Sequence, residues 1–144
     1  MSLVTAKEVA KAIHFDKYGF IGTFFGWLLM KLLNISAINN IYNRNKHLKD
    51  TSFLNALIND FQIKFEIPEK DLKRLPKNGA YITISNHPLG GIDGILLLKL
   101  MLEQRSDFKI IGNFLLHRIE PLKPHIIPVN PFEDRKDLKS SITG

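Results

Sequence analysis

The 144-residue sequence contains no cysteine. That absence excludes a disulfide framework, a cysteine-ligated zinc site and a thiol nucleophile, and it fits a reducing compartment. Acidic residues are also scarce: 14 Asp plus Glu stand against 20 Lys plus Arg, for a net charge of +6 and a pI near 9.6. Such an excess favours anionic partners. No nucleic-acid partner is expected, because the cations are not interleaved with aromatics and no binding motif is present. A long apolar run is missing as well. The uncharged, apolar stretch at residues 18–30 falls short of the ~20 residues a spanning helix needs. It does not resemble a signal peptide either, since Glu8 and Asp16 precede it and no small-residue cleavage site comes after it. Low-complexity tracts and internal repeats are absent.

What is present is an ordinary globular composition, 44% hydrophobic and 24% charged, on a chain long enough to bury a core. Met1-Ser2-Leu3 carries no functional signal. The capping box Thr5-x-x-Glu8 predicts a short helix over 5–12. A second helix is predicted over 17–33. There Phe20, Phe24, Trp27 and Lys31 form one row, and Ile21, Phe25, Leu28 and Leu32 the next. Gly19, Gly22 and Gly26 would let another helix approach closely. Two readings stand side by side: a core helix, or an interfacial anchor in which Phe20, Phe24 and Trp27 touch a membrane. Further helices are predicted over 36–46 and 51–61, the latter with the stripe Phe53, Leu54, Leu57, Ile58 and Phe61.

From residue 62 the pattern changes. Residues 62–67 alternate and predict a strand, ended by Pro68. A basic connection leads to a short apolar strand over Ala80–Ser85. Next come a helix over Asp93–Met101, a strand over Phe108–Ile111, a short helix over Phe114–Ile119, a strand over His125–Val129 and the start of a helix over Asp134–Ser141. The expected fold class is α/β: a partly parallel sheet flanked by helices, preceded by a helical membrane-associating segment, the whole an incomplete domain. The division expected is 1–61 for the helical segment and 62–144 for the α/β part.

The chemistry concentrates in Ile84-Ser85-Asn86-His87-Pro88-Leu89-Gly90-Gly91-Ile92-Asp93-Gly94, between a predicted strand and a predicted helix. Carboxyl ends of strands are where α/β folds place their sites. Pro88 biases His87 toward extended backbone, which would project the imidazole away from the helix. Gly90 and Gly91 permit a tight turn and the approach of a substrate to the backbone. Asp93, separated from His87 by five residues, can fold back onto one imidazole nitrogen and leave the other as a general base. With no activated serine or cysteine nearby, the nucleophile comes from the substrate, and a hydroxyl attacking an acyl carbon suits the pair. Taken singly, Asp93 reads better as a helix-terminus carboxylate and His87 as a loop histidine; their company with Asn86, Pro88 and two glycines, between a buried strand and a buried helix, reverses that. No phosphate-loop or dinucleotide fingerprint fits. His14, His47, His117 and His125 show no ligand-like pairing with His87, so no metal site is expected.

These residues resemble the first motif of the glycerophospholipid and lysophospholipid acyltransferases, and the glycine-pair variant is similar to a bacterial branch labelled hemolysin-like or ornithine-lipid acyltransferase. The resemblance runs from about Phe65 to Phe132 and includes the Leu75-Pro76-x-x-Gly79 lead-in. It implies transfer of a fatty acyl group from a thioester, on coenzyme A or an acyl carrier protein, to a hydroxyl of a lysophospholipid-like or lyso-ornithine-lipid-like acceptor. No cofactor is implied. His87 would be the base and Asp93 its partner, with Asn86, Gly90, Gly91, Asn113 and Arg118 contacting substrate. Two departures stand out. The family spaces His and Asp by four residues, against five here. Its second-motif Arg, which binds the acceptor phosphate, does not come directly after the strand, which leaves Arg118 or Arg135 in that role. The third motif, Pro-Glu-Gly-Thr, is not found before Gly144. A chain ending there is expected to be inactive alone and to self-associate through an open sheet edge.

Arg44, Lys46 and Lys49, and then Lys70, Lys73, Arg74 and Lys77, are each either a solvated face or a contact for anionic headgroups or an acidic acyl carrier. The expected setting is peripheral, on the cytoplasmic face of a bacterial inner membrane. The alternatives are a non-catalytic lipid-binding module of the same fold and a lipid hydrolase.

Overall fold

A computed structural model describes residues 3–129. The expected helix over 134–141 and Arg135 lie outside the described residues. The chain forms two compact units, Met1–His47 and Leu48–Gly144.

In the first unit, α1 (Ala6–Ala12) begins with the expected capping box. The Thr5 backbone N–H donates to Glu8 Oε2 at 2.9 Å, and the Glu8 N–H donates to Thr5 Oγ1 at 3.3 Å. A 3-10 turn at Asp16–Tyr18 leads into α2 (Gly19–Leu32). Glycine decides how α1 meets α2. A Cβ on Gly22 would lie 1.9 Å from the Phe15 carbonyl oxygen, and one on Gly26 would lie 2.2 Å from that of Ala6. Both positions must therefore be glycine for the backbones to touch, and Gly22, Gly26 and Met30 form the buried side of α2. Asn34, at φ +53, turns the chain into α3 (Ile35–Asn45), bent 76° from the preceding helix. No single helix among the described residues is long and apolar enough to cross a membrane. The buried Asn39 amide pairs with Val4 as a strand would: the Val4 N–H donates to Oδ1 at 3.0 Å, and Nδ2 donates to the Val4 carbonyl at 2.9 Å.

In the second unit, α4 (Asp50–Asp60) buries Phe53, Leu54, Leu57 and Ile58, four of the five residues of the expected stripe. It packs on α6 (Gly91–Gln104), which buries Leu98, Met101 and Leu102. Leu122 and Ile126 complete this core. A single-turn helix, α5 (Glu69–Leu72), occupies the basic connection. The sheet has two strands among the described residues, β1 (Ile110–Asn113) and β2 (Ile126–Val129), paired in parallel with Ile110 opposite Ile126 and Asn113 opposite Val129. Two 3-10 segments, Phe114–Arg118 and Glu120–His125, make the crossover. The His125 imidazole ties this core together, with Nε2 2.7 Å from Asp50 Oδ1 and Nδ1 3.3 Å from the Phe108 carbonyl oxygen.

The architecture is thus mixed helix with a small parallel sheet, and two expected strands need correction. Residues 63–68 and 80–87 carry no ladder. Alternation of side chains is not sufficient for a strand, because each extended segment also needs a neighbour to take its backbone hydrogen bonds. Neither segment has one among the described residues. Ile82 and Ile84 are accordingly 92% and 96% exposed. The compact units also divide after His47, ahead of the division expected after residue 61, because the α4 stripe packs on α6.

Candidate active site

The site is built on the opening of α6. The chain arrives along 80–86, reverses in a turn closed by the Gly90 N–H donating to the His87 carbonyl at 3.2 Å, and enters the helix at Gly91. Pro88 sits at the second position of that turn, where its fixed φ is favourable. Gly90 has φ +63 and ψ −120, a region that side-chain-bearing residues avoid.

Asp93 stands in the first turn of α6, as expected. Its Oδ2 accepts the Leu89 backbone N–H at 2.7 Å. A carboxylate there also faces the positive end of the helix dipole. The loop is therefore closed from both sides, by its own turn and by Asp93. His87 is exposed, and its Cε1 lies 3.9 Å from the Cβ position of Gly94. The imidazole thus lies against the first turn of α6 instead of pointing away from it. The reversal at Pro88–Gly90 carries the chain back over the position where His87 stands. His87 and Asp93 share this one helical opening, and no hydrogen bond joins them among the described residues.

The space beside the glycine pair is open: a Cβ on Gly90 or Gly91 would meet nothing within 4 Å. Asn86 is exposed, and its carbonyl accepts the Ser85 hydroxyl at 3.0 Å. Asn113 ends β1, half-buried, and Arg118 closes the 3-10 segment after it, exposed. Neither forms a hydrogen bond or ion pair with His87 or Asp93 among the described residues.

Sequence reasoning missed Arg105. It comes directly after α6 and holds the far end of the segment that leads to His87. Its Nη1 donates to the Gly79 carbonyl at 2.6 Å, Nε to Asp107 Oδ1 at 2.9 Å, and its guanidinium lies 5.4 Å from the Tyr81 ring centre. The hydrogen bond from Arg105 holds the Asp107 carboxyl below the usual carboxylate range. The Arg-x-Asp spacing was legible as a fork-to-carboxylate pair; its reach across 26 residues to Gly79 was not.

The structure thus brings an exposed imidazole and a helix-terminal carboxylate onto one short glycine loop, with open backbone beside them. The sequence model of a family described as Acyltransferase matches residues 6–138, and the chain belongs to that family. It is 34% identical over 130 residues to a lyso-glycine lipid O-acyltransferase of Bacteroides thetaiotaomicron, covering 89% of this chain and 47% of the relative. It is 30% identical over 129 residues to a protein of the same description from Phocaeicola vulgatus, covering 89% and 46%. The chain therefore spans about half the length of these relatives. No solved structure matches it.

Proposed function

We propose that this chain carries the proton-transfer site of a lipid O-acyltransferase that moves a fatty acyl group from an acyl thioester to the hydroxyl of a lyso-lipid. The observation that supports this most is the match to two lyso-glycine lipid O-acyltransferases along 89% of the chain, with the His87–Asp93 loop inside the matched region. The acceptor class is taken from those relatives: a lyso-lipid with an amino-acid headgroup and a free hydroxyl. The donor is a thioester of coenzyme A or of an acyl carrier protein.

In this reading His87 takes the proton from the acceptor hydroxyl as its oxygen bonds to the acyl carbon. The carbon–sulfur bond breaks, and the proton passes to the departing thiolate. Asp93 is a positioning residue: Oδ2 closes the loop on Leu89, and Oδ1 is left to orient the imidazole. The open backbone beside Gly90, from Gly91 at the start of α6, is where the acyl carbonyl oxygen meets N–H groups the helix does not use. Asn86, Asn113 and Arg118 contact the acceptor headgroup, with Arg118 suited to a carboxylate or phosphate. The exposed face of α2, with Phe20, Phe24 and Trp27, rests on the membrane that holds the acceptor, and the protein works peripherally on the cytoplasmic leaflet of a bacterial membrane.

The test is thiol release from an acyl thioester with and without lyso-glycine lipid, using the protein in the length its gene encodes. Release that depends on acceptor and vanishes in His87→Ala supports the reading. Release without acceptor marks a hydrolase, and no release at all marks a lipid-binding module.

A further inference from the structure

Helix α2 has two unlike sides. At 3.6 residues per turn, Gly22, Gly26 and Met30 fall on one side, and that side is spent on α1 and the Phe15 turn that follows it. The opposite side carries Phe20, Ile21, Phe24, Trp27, Leu28 and Leu32, all exposed; Phe20 is 86% exposed and Leu32 76%. No acidic residue lies within α2. Cations stand at its ends, Lys17 Nζ 5.3 Å from the Tyr18 ring centre and Lys31 Nζ 5.4 Å from that of Trp27. An aromatic with a cation beside it suits the headgroup level of a bilayer, where one end of the pair is wet.

On the flank where α1 meets α2 there is a notch of about 510 Å³, lined by Lys7, Lys11, Asp16, Gly19, Phe20 and Thr23. Lys7 and Lys11 are one helical turn apart on α1. Gly19, at φ +56, leaves the notch open, since a Cβ there would meet nothing within 4 Å. The Thr23 hydroxyl is already used, donating to the Gly19 carbonyl at 3.1 Å. Two cations and one carboxylate line it, and Phe20 belongs both to the notch and to the apolar face.

We infer that this notch binds the headgroup of an anionic phospholipid while α2 lies in the plane of the bilayer, its apolar face among the acyl chains. The inference rests on the membrane reading of α2 and adds the lipid class and the orientation. Charge selects the occupant: an apolar helix face without acids, flanked by two lysines, matches a negatively charged lipid surface and not the mixed-charge rim of a protein interface.

Trp27 is the single tryptophan and so reports the contact directly. Its fluorescence is followed on adding vesicles of phosphatidylcholine alone, or of phosphatidylcholine with phosphatidylglycerol. The expected result is binding to both, tighter on the order of tenfold with phosphatidylglycerol and weakened by salt. Lys7→Gln with Lys11→Gln should remove most of that difference and leave binding to neutral vesicles in place. Phe20→Ser with Phe24→Ser should weaken binding to both. Lipids brominated near the headgroup should quench Trp27 more than lipids brominated near the chain end. Unchanged preference in the lysine variant, or stronger quenching from the chain ends, would overturn the inference. Failure on neutral vesicles would overturn the membrane reading beneath it. His87→Ala should leave every one of these readings unchanged, which separates them from the proposed chemistry.

Discussion

Asp93 and Leu89 hold the His87 loop closed, with the Asp93 carboxylate accepting the Leu89 backbone N–H at 2.7 Å. The residue expected to orient the imidazole is thus first a brace for the turn that carries it. The two roles are separable. Asp93→Asn keeps an acceptor oxygen and should keep the Leu89 amide slow to exchange with solvent, while lowering acyl transfer. Asp93→Ala should speed exchange at Leu89 and lower transfer further. Amide exchange by NMR on both variants checks this. Equal protection in the two would mean the brace is not needed.

The glycine pair offers a second separation. Gly90 occupies φ +63, where a side chain costs about 1–2 kcal/mol, so Gly90→Ala should lower the melting temperature. Gly91 opens the helix, and a Cβ there has open space. Gly91→Ala should therefore leave stability unchanged or slightly raised, and still depress acyl transfer, because substrate must approach that backbone. Thermal unfolding beside the thioester assay decides it; full activity in Gly91→Ala would contradict the approach.

Packing of α1 on α2 depends on Gly26, whose Cβ would stand 2.2 Å from the Ala6 carbonyl oxygen. Alanine favours a helix interior by about 1 kcal/mol over glycine, yet Gly26→Ala should destabilise the protein, by roughly 1–3 kcal/mol, since backbone must move. Chemical unfolding of the variant reads the sign.

The Arg105–Asp107 pair carries a pH signature. Hydrogen bonding to Arg105 lowers the Asp107 carboxyl in the folded chain. Its stabilising contribution is therefore complete above the unfolded value of about 3.9 and is lost as pH falls through the lower folded value. Asp107→Asn should flatten the acid limb of the stability curve in that range and leave stability at neutral pH little changed, since Asp107 is exposed.

How much of this was legible in the sequence depends on the range of each interaction. Helix α1 announced itself because Thr5 and Glu8 are three residues apart and bond to each other. The α4 stripe was readable because burial at helical spacing is a property of neighbours in sequence. The loop at 84–94 was readable because turn chemistry, glycine freedom and a helix-terminal carboxylate are all local. The strand expected over 80–85 failed for the converse reason: pairing is decided by a partner far away in sequence, and Ile82 and Ile84 show none among the described residues. His125 with Asp50, 75 residues apart, and Arg105 with Gly79 were hidden in the same way. The packing of α2 was hidden too: its glycine side lies against α1 and Phe15, while Phe20, Phe24 and Trp27 are exposed among the described residues.

The central claim is that His87 moves the proton in acyl transfer. The most direct measurement compares the gene-length protein with its His87→Ala variant, with acyl thioester and lyso-glycine lipid, tracking both thiol release and the O-acylated product. The account predicts acceptor-dependent product in the first. In the second it predicts a loss of about 10²–10⁴-fold, with the circular dichroism spectrum and vesicle binding unchanged. A His87→Ala protein that is folded and still acylates at near the original rate would contradict it.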